Sequence, residues 1–284
     1  MTLPNFLIIG AMKSGTTVLY QYLKQHPQIY MSPVKETNFF MRDNKDIKEY
    51  HTFFQGVTDE QAIGEASPGY FGHQKAYKRI ARHLPNAKLI AIFRNPADRA
   101  YSHFLMKYRQ ELHGMDDREI LEYFTKIIQV EKDIAVTNQG FYYRHIKKYL
   151  ELFNLKQIEI CFYEDLKSDP VSLIDDIYQF LNVDRAYTIS DNKTYYNKGG
   201  IQNNKFLYIS LNNLRKYLNP FLKRFFPEKI NKKIYNIYNT IRNSNLAKPP
   251  KLTPEIRQQL IELYREDILQ LQNLSDRDLS SWVK

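Results

Sequence analysis

Apolar and polar positions follow two rhythms along this chain. Short, nearly continuous apolar runs occupy residues 6–9, 29–31, 62–65, 89–93 and 158–162. The first is too short for a core helix and carries two adjacent isoleucines, so it predicts a buried parallel strand, and the other four are candidate strands of the same sheet. Between them the apolar spacing turns helical, near residues 16–25, 74–83, 96–110, 141–153 and 171–181. Val18, Leu19, Tyr22 and Leu23, for example, share one helix face. Pro96 and Pro170 suit first-turn positions. This alternation predicts an α/β fold of three layers, a central parallel sheet flanked by helices, and the Gly-flanked turn after the first strand makes it P-loop-like. Beyond Lys193 the chain reads as helical, with Pro249-Pro250 as a hinge before a final helix near 254–271. One domain over 1–284 is expected, an α/β core at 1–192 followed by a basic, mostly helical part at 193–284.

The first strand meets its helix through Gly10-Ala-Met-Lys13-Ser14-Gly15-Thr16-Thr17. Such a turn delivers bare backbone N–H groups to a helix N-terminus and is built to hold an anion. Its spacing resembles a Walker A loop, but Thr16 stands where a nucleoside-triphosphate fold places Lys, and the loop's cation is Lys13 instead. An ordinary strand-to-helix turn is the plain alternative, which the Lys and the double Thr disfavour.

Composition narrows the setting. The single Cys161 excludes an intramolecular disulfide and lies in an apolar run, as a small buried hydrophobe does. No run approaches the roughly 18 apolar residues that span a bilayer, and the first strand begins within a few residues of Met1, so a cytoplasmic chain without a signal peptide is expected. The net charge of +10 is uneven. Residues 193–251 hold 13 Lys plus Arg against the single Glu228, a local +12, interleaved with aromatics. That surface can meet nucleic acid, an anionic glycan or, by peripheral contact, an acidic membrane, and the alternative is a helical subdomain with aromatics inside and Lys outside.

A second chemical stretch is Phe93-Arg94-Asn-Pro-Ala-Asp-Arg-Ala-Tyr-Ser102. Here a buried strand ends in a cation, where a triphosphatase would want an acid to hold Mg²⁺. Arg94 can fork onto a phosphate and Ser102 can add a hydroxyl, while an Arg94–Asp98 surface pair is the plain alternative. Two phosphate sites and no metal site suggest a nucleotide phosphorylated at both 5′ and 3′ positions.

At this point the chain resembles a known family. The two stretches resemble the donor-binding motifs of sulfotransferases that use 3′-phosphoadenosine 5′-phosphosulfate (PAPS). Lys35-Glu36-Thr-Asn-Phe-Phe40 and Gly64-Glu-Ala-Ser-Pro-Gly-Tyr-Phe71 resemble segments of the heparan sulfate N- and 3-O-sulfotransferase-like branch. The closing Asp276-Arg-Asp-Leu-Ser-Ser-Trp282 resembles the end of its bacterial members. The resemblance implies that Lys13 binds the 5′-phosphosulfate and stabilises the leaving phosphate, with Ser14, Gly15, Thr16 and Thr17 supplying amides and hydroxyls. It implies that Arg94 and Ser102 bind the 3′-phosphate, that Lys198 and Gly199 belong to a further donor loop, and that Glu36 is the general base. The implied reaction needs no metal, releases 3′-phosphoadenosine 5′-phosphate (PAP), and sulfates a saccharide, glycolipid or other hydroxylated acceptor, with no nucleic-acid partner.

Two departures from the family pattern stand out. Ala66 occupies a position where the heparan branch usually has Lys, with Lys35 or Lys198 as candidate substitutes. The small-molecule branch places a His in a Lys-Thr-His stretch where this chain reads Ala66-Ser67-Pro68, which leaves Glu36 as the base and His73, His103 and His145 as structural or solvent-facing. The competing functions are a P-loop kinase, disfavoured by Thr16 and Arg94, and a non-enzymatic polyanion or membrane-surface binder.

Overall fold

In the computed structural model, residues 1–43, 45–130, 134–189, 201–202 and 246–284 are described, with isolated positions between 210 and 244. In chain order the elements are β1 (Phe6–Gly10), α1 (Thr16–Leu23), β2 (Ile29–Met31), α2 (Ile47–His51), β3 (Ala62–Ala66), α3 (Ala76–His83), β4 (Lys88–Phe93), α4 (Pro96–Lys107), α5 (Asp117–Gln129), α6 (Ile134–Thr137), α7 (Tyr142–Leu150), β5 (Ile158–Phe162), α8 (Tyr163–Ser168), α9 (Pro170–Leu181) and α10 (Pro254–Ser275).

The five strands form one sheet in the order β2-β3-β1-β4-β5, and every pairing is parallel. Strand β1 is buried along its whole length, as a central parallel strand covered on both faces must be. Phe6, Ile8, Ile90 and Ile92 face α1 and α9, packing with Val18, Leu19, Leu173, Ile174 and Ile177. On the opposite side, Phe93 stacks on Tyr142 of α7 with centroids 4.4 Å apart, and Phe71 lies between Phe93 and Tyr149. Gly64 makes the β1–β3 contact feasible. A Cβ there would fall 2.2 Å from Cζ of Phe6, its register partner, so the phenyl ring fills the space a side chain would need.

The chain divides into two compact units, one comprising residues 1–100, 133–196 and 254–284, the other residues 101–132 and 197–253. The first holds the sheet, and its α10 packs against α7. There Asp267 takes the place of a missing N-cap, accepting from the Tyr143 and Arg144 amides at 2.7 and 3.0 Å. In the second unit the aromatic residues Tyr101, Phe104, Tyr108, Tyr123 and Phe124 pack together along α4 and α5. Helix α5, absent from the sequence reading, starts with a capping box in which Asp116 and Glu119 satisfy each other's amides. The basic stretch 193–251 lies largely outside the described residues. Within it one correction is due. Ile201–Gln202 and Leu246–Ala247 form a short antiparallel pair, so the region is not helical throughout. Among the described residues no helix is long and apolar enough to cross a membrane.

Candidate active site

The strand order reverses direction around β1, since the chain passes to β2 and β3 on one side and then crosses to β4 and β5 on the other. In open parallel sheets, ligands bind beyond the strand carboxyl ends at such a reversal. Lys13, Arg94 and Glu36 all come to this edge. Lys13 follows β1 and Arg94 follows its neighbour β4, while Glu36 is docked by its amide to the Ala66 carbonyl at the end of β3, at 2.9 Å.

The β1–α1 turn is fixed by backbone geometry and by distant contacts. Lys13 has φ 71° and Gly15 φ 98°, two left-handed residues within three positions. At Gly15 the requirement is double, because a Cβ would also lie 2.8 Å from Leu166 and 3.0 Å from Tyr163 of α8. The Ala11 amide donates to the Ile92 carbonyl at 2.8 Å, and the Met12 amide donates to Gln139 Oε1 at 3.0 Å. Helix α1 has no side-chain cap and no acid in its first turn. Val18 and Leu19 both bond back to the Gly15 carbonyl, which leaves the Thr16 and Thr17 amides without acceptors inside the helix. Ser14 is fully buried, and its Oγ makes no well-formed hydrogen bond although the Tyr142 hydroxyl is close enough to interact. An uncapped helix end beside a left-handed lysine and a buried serine hydroxyl fits a phosphate or sulfate group.

Tyr163 connects this turn to the second cation. Its ring lies against Gly15 and beneath the Arg94 guanidinium, 5.0 Å from the ring centroid. The Arg94 carbonyl is held by the Tyr142 hydroxyl at 2.8 Å. Glu164, next in the chain, accepts from the Asn95 amide at 3.4 Å; burial raises its carboxyl, and the Arg94 charge and the Trp282 hydrogen bond work against that rise. Trp282 also packs on Phe162 and Tyr142, which explains what the closing segment does for this edge. Asp98 pairs with Arg257 at 2.5 Å, so the alternative of an Arg94–Asp98 pair is not what the structure contains.

Glu36 itself adopts φ 63° and is 46 % exposed, with Lys35 Nζ 2.6 Å from its Oε1. The segment after it rests on Glu65, a fully buried acid to which the sequence reading assigned no role. Ser102 lies half-buried on α4, in the second unit. Lys198 and Gly199 lie outside the described residues.

Two of the histidines make local contacts. His145 is buried with Nε2 3.0 Å from the Asn138 carbonyl, and burial lowers its pKa to about 4, so it is neutral at pH 7. His73 Nδ1 accepts from the Lys75 and Ala76 amides at 3.2 Å each, at the start of α3. Burial raises the Cys161 thiol well above its usual range, which makes it unreactive.

Comparison with known proteins agrees with this architecture. Residues 3–266 match the family model of the sulfotransferase domain, and the chain belongs to that family. It is 34 % identical over 208 residues to the bifunctional heparan sulfate N-deacetylase/N-sulfotransferase 4 of Mus musculus, covering 68 % of this chain and 24 % of that protein. Against N-deacetylase/N-sulfotransferase 1 of Homo sapiens it is 35 % identical over 210 residues, or 67 % of this chain and 23 % of that one. The chain therefore spans about a quarter of the length of these curated relatives. The crystal structure of a sulfotransferase from Alicyclobacillus acidocaldarius matches over the full length of both chains, with a TM-score of 0.70 and 25 % identity.

Proposed function

We propose that this protein transfers the sulfuryl group of PAPS to a hydroxyl or amine of a saccharide or glycolipid-like acceptor. The observation that carries the reading is the convergence of Lys13, Arg94 and Glu36 on one sheet edge, around a helix N-terminus with no cap of its own. Membership in the sulfotransferase family supports sulfuryl over phosphoryl transfer. The heparan sulfate in its relatives' names supports a saccharide acceptor.

In this reading PAPS is a substrate. The Thr16 and Thr17 amides and Lys13 hold its 5′-phosphosulfate, and Arg94 holds the 3′-phosphate that distinguishes this donor from ordinary adenine nucleotides, with Ser102 assigned to that phosphate on the motif alone. Glu36 accepts the acceptor's proton as its oxygen or nitrogen bonds to sulfur. The sulfur–oxygen bond to the 5′-phosphate breaks in the same displacement, and Lys13 stabilises the charge left on that phosphate. Lys35, one residue from the amide that docks on Ala66, or Lys198 supplies the cation that the heparan branch usually has at position 66. Lys198 and Gly199 are assigned to the donor loop on the motif alone.

The test is transfer of labelled sulfate from PAPS to N-desulfated heparan saccharides and to glycolipids, comparing wild type with Glu36→Gln in EDTA. Glu36→Gln should lower turnover by roughly 10² to 10⁴, the usual worth of a positioned base. Near-normal transfer by that variant would move the base elsewhere, with His73 the next residue to examine. Turnover by wild type that EDTA abolishes would contradict the metal-free donor site.

A further inference from the structure

Glu65 ends a chain of hydrogen bonds that carries the turn after Glu36. Its Oε1 accepts from Tyr50 OH at 3.0 Å and Tyr70 OH at 2.7 Å, and its Oε2 accepts from Thr37 Oγ1 at 3.0 Å and Ser67 Oγ at 2.7 Å. Three of these hydroxyls also accept from successive backbone amides. Asn38 N donates to Ser67 Oγ at 3.0 Å, Phe39 N to Thr37 Oγ1 at 3.4 Å and Phe40 N to Tyr70 OH at 3.4 Å. Three consecutive amides thus reach one carboxylate, each through a single hydroxyl.

The turn that they fix is one the chain would not hold unaided. Glu36 and Asn38 have φ of 63° and 50°, left-handed values that non-glycine residues keep only where their surroundings impose them. The Glu36 amide is tied to Ala66 O, and Asn38 Nδ2 is 3.1 Å from the Glu36 carbonyl. A carboxylate offers about four acceptor sites and no donor, which is the only chemistry that satisfies four hydroxyls pointing inward. An amide at position 65 would turn a donor toward two of them.

We infer that Glu65 is a positioning residue for Glu36: by orienting the four hydroxyls it fixes the turn over residues 36–40 and so the place where the Glu36 carboxylate stands at the sheet edge. This inference rests on the reading of Glu36 as the base. Misplacing a reacting group by about 1 Å can cost about 10² in rate, so a residue that never touches substrate can still govern turnover.

The experiment uses the full chain with Glu65→Gln, and Thr37→Val as a milder variant that removes one hydroxyl and keeps the carboxylate. Hydrogen exchange should quicken roughly 5- to 150-fold at the amides of Asn38, Phe39 and Phe40 in Glu65→Gln and at the Phe39 amide in Thr37→Val, while β1 and α1 stay protected. In the transfer assay with N-desulfated heparan saccharide, Glu65→Gln should lower kcat by about 10² and leave PAP affinity within about twofold. Combined with Glu36→Gln it should cost no more than Glu36→Gln alone, because Glu65 acts through that residue. Additive losses in the double variant would overturn the inference, as would unchanged exchange over 36–40 in Glu65→Gln. If Glu65→Gln does not fold and Thr37→Val exchanges like wild type, the inference also fails. Near-normal transfer by Glu36→Gln would instead sink the base assignment, leaving the exchange result to judge the turn by itself.

Discussion

The residues proposed for chemistry and those that hold the local geometry differ in how visible they are in the sequence. Lys13, Arg94 and Glu36 stand inside short motifs, so their types and spacing announce them. Gln139 and Glu65 do not, because their partners are scattered: Gln139 reaches Met12 across 127 positions, and the hydroxyls on Glu65 come from positions 37, 50, 67 and 70. Only the folded sheet edge brings them together. Asp267 belongs to the same class and yields a prediction about pH. Burial pushes its carboxyl up to about 6, against the two amide hydrogen bonds and the Arg144 charge that pull it down. Because the folded value lies above the usual carboxylate value near 4, its stabilising contribution is full below about pH 4 and is lost as pH rises through about 6, costing about 2 to 3 kcal/mol in all. Burial also raises Glu65, Glu159 and Glu164, which adds slope of the same sign. Asp267→Asn should flatten the fall in unfolding free energy between pH 4 and 6, measured by denaturant titration. A slope unchanged from wild type would show that Asp267 titrates normally.

At the scale of elements, the sheet was the legible part. The strands read at 29–31 and 158–162 coincide with β2 and β5, and those read at 6–9, 62–65 and 89–93 differ from β1, β3 and β4 by one residue at one end. Buried parallel strands leave a mostly apolar signature, interrupted here by Glu65 in β3 and Glu159 in β5, which accounts for that agreement. Helices α2 and α8 were not legible because five or six residues show too little of a helical period. Helix α5 was legible in principle, since Asp116 and Glu119 precede an apolar face at Ile120, Phe124 and Ile127. The tight β1–β3 contact gives a direct check on the sheet. Gly64→Ala would force a methyl into the Phe6 ring and should lower stability by about 1 to 3 kcal/mol, read as a lower denaturation midpoint. A midpoint equal to wild type would mean that β1 and β3 are spaced more loosely than this packing requires.

For the molecule as a whole, charge and site point toward the same kind of ligand. The +12 carried by residues 193–251 is a property of the sequence, and it should draw anionic acceptors. The KM for a heparan-type acceptor is therefore expected to rise with added salt, and a KM independent of salt would remove that role from the stretch. In the proposed reading, one sheet edge holds two anionic groups of one nucleotide, with Lys13 at the first and Arg94 at the second. Calorimetric titration of PAP into wild type, Lys13→Ala and Arg94→Ala, all in EDTA, tests it most directly. Each charge-assisted contact is worth about 1.5 to 3 kcal/mol, so each variant should bind PAP roughly 10- to 150-fold more weakly than wild type. Adenosine 5′-phosphate, which lacks the 3′-phosphate, should be weakened by Lys13→Ala and nearly indifferent to Arg94→Ala. Wild-type affinity for PAP in both variants would contradict the account.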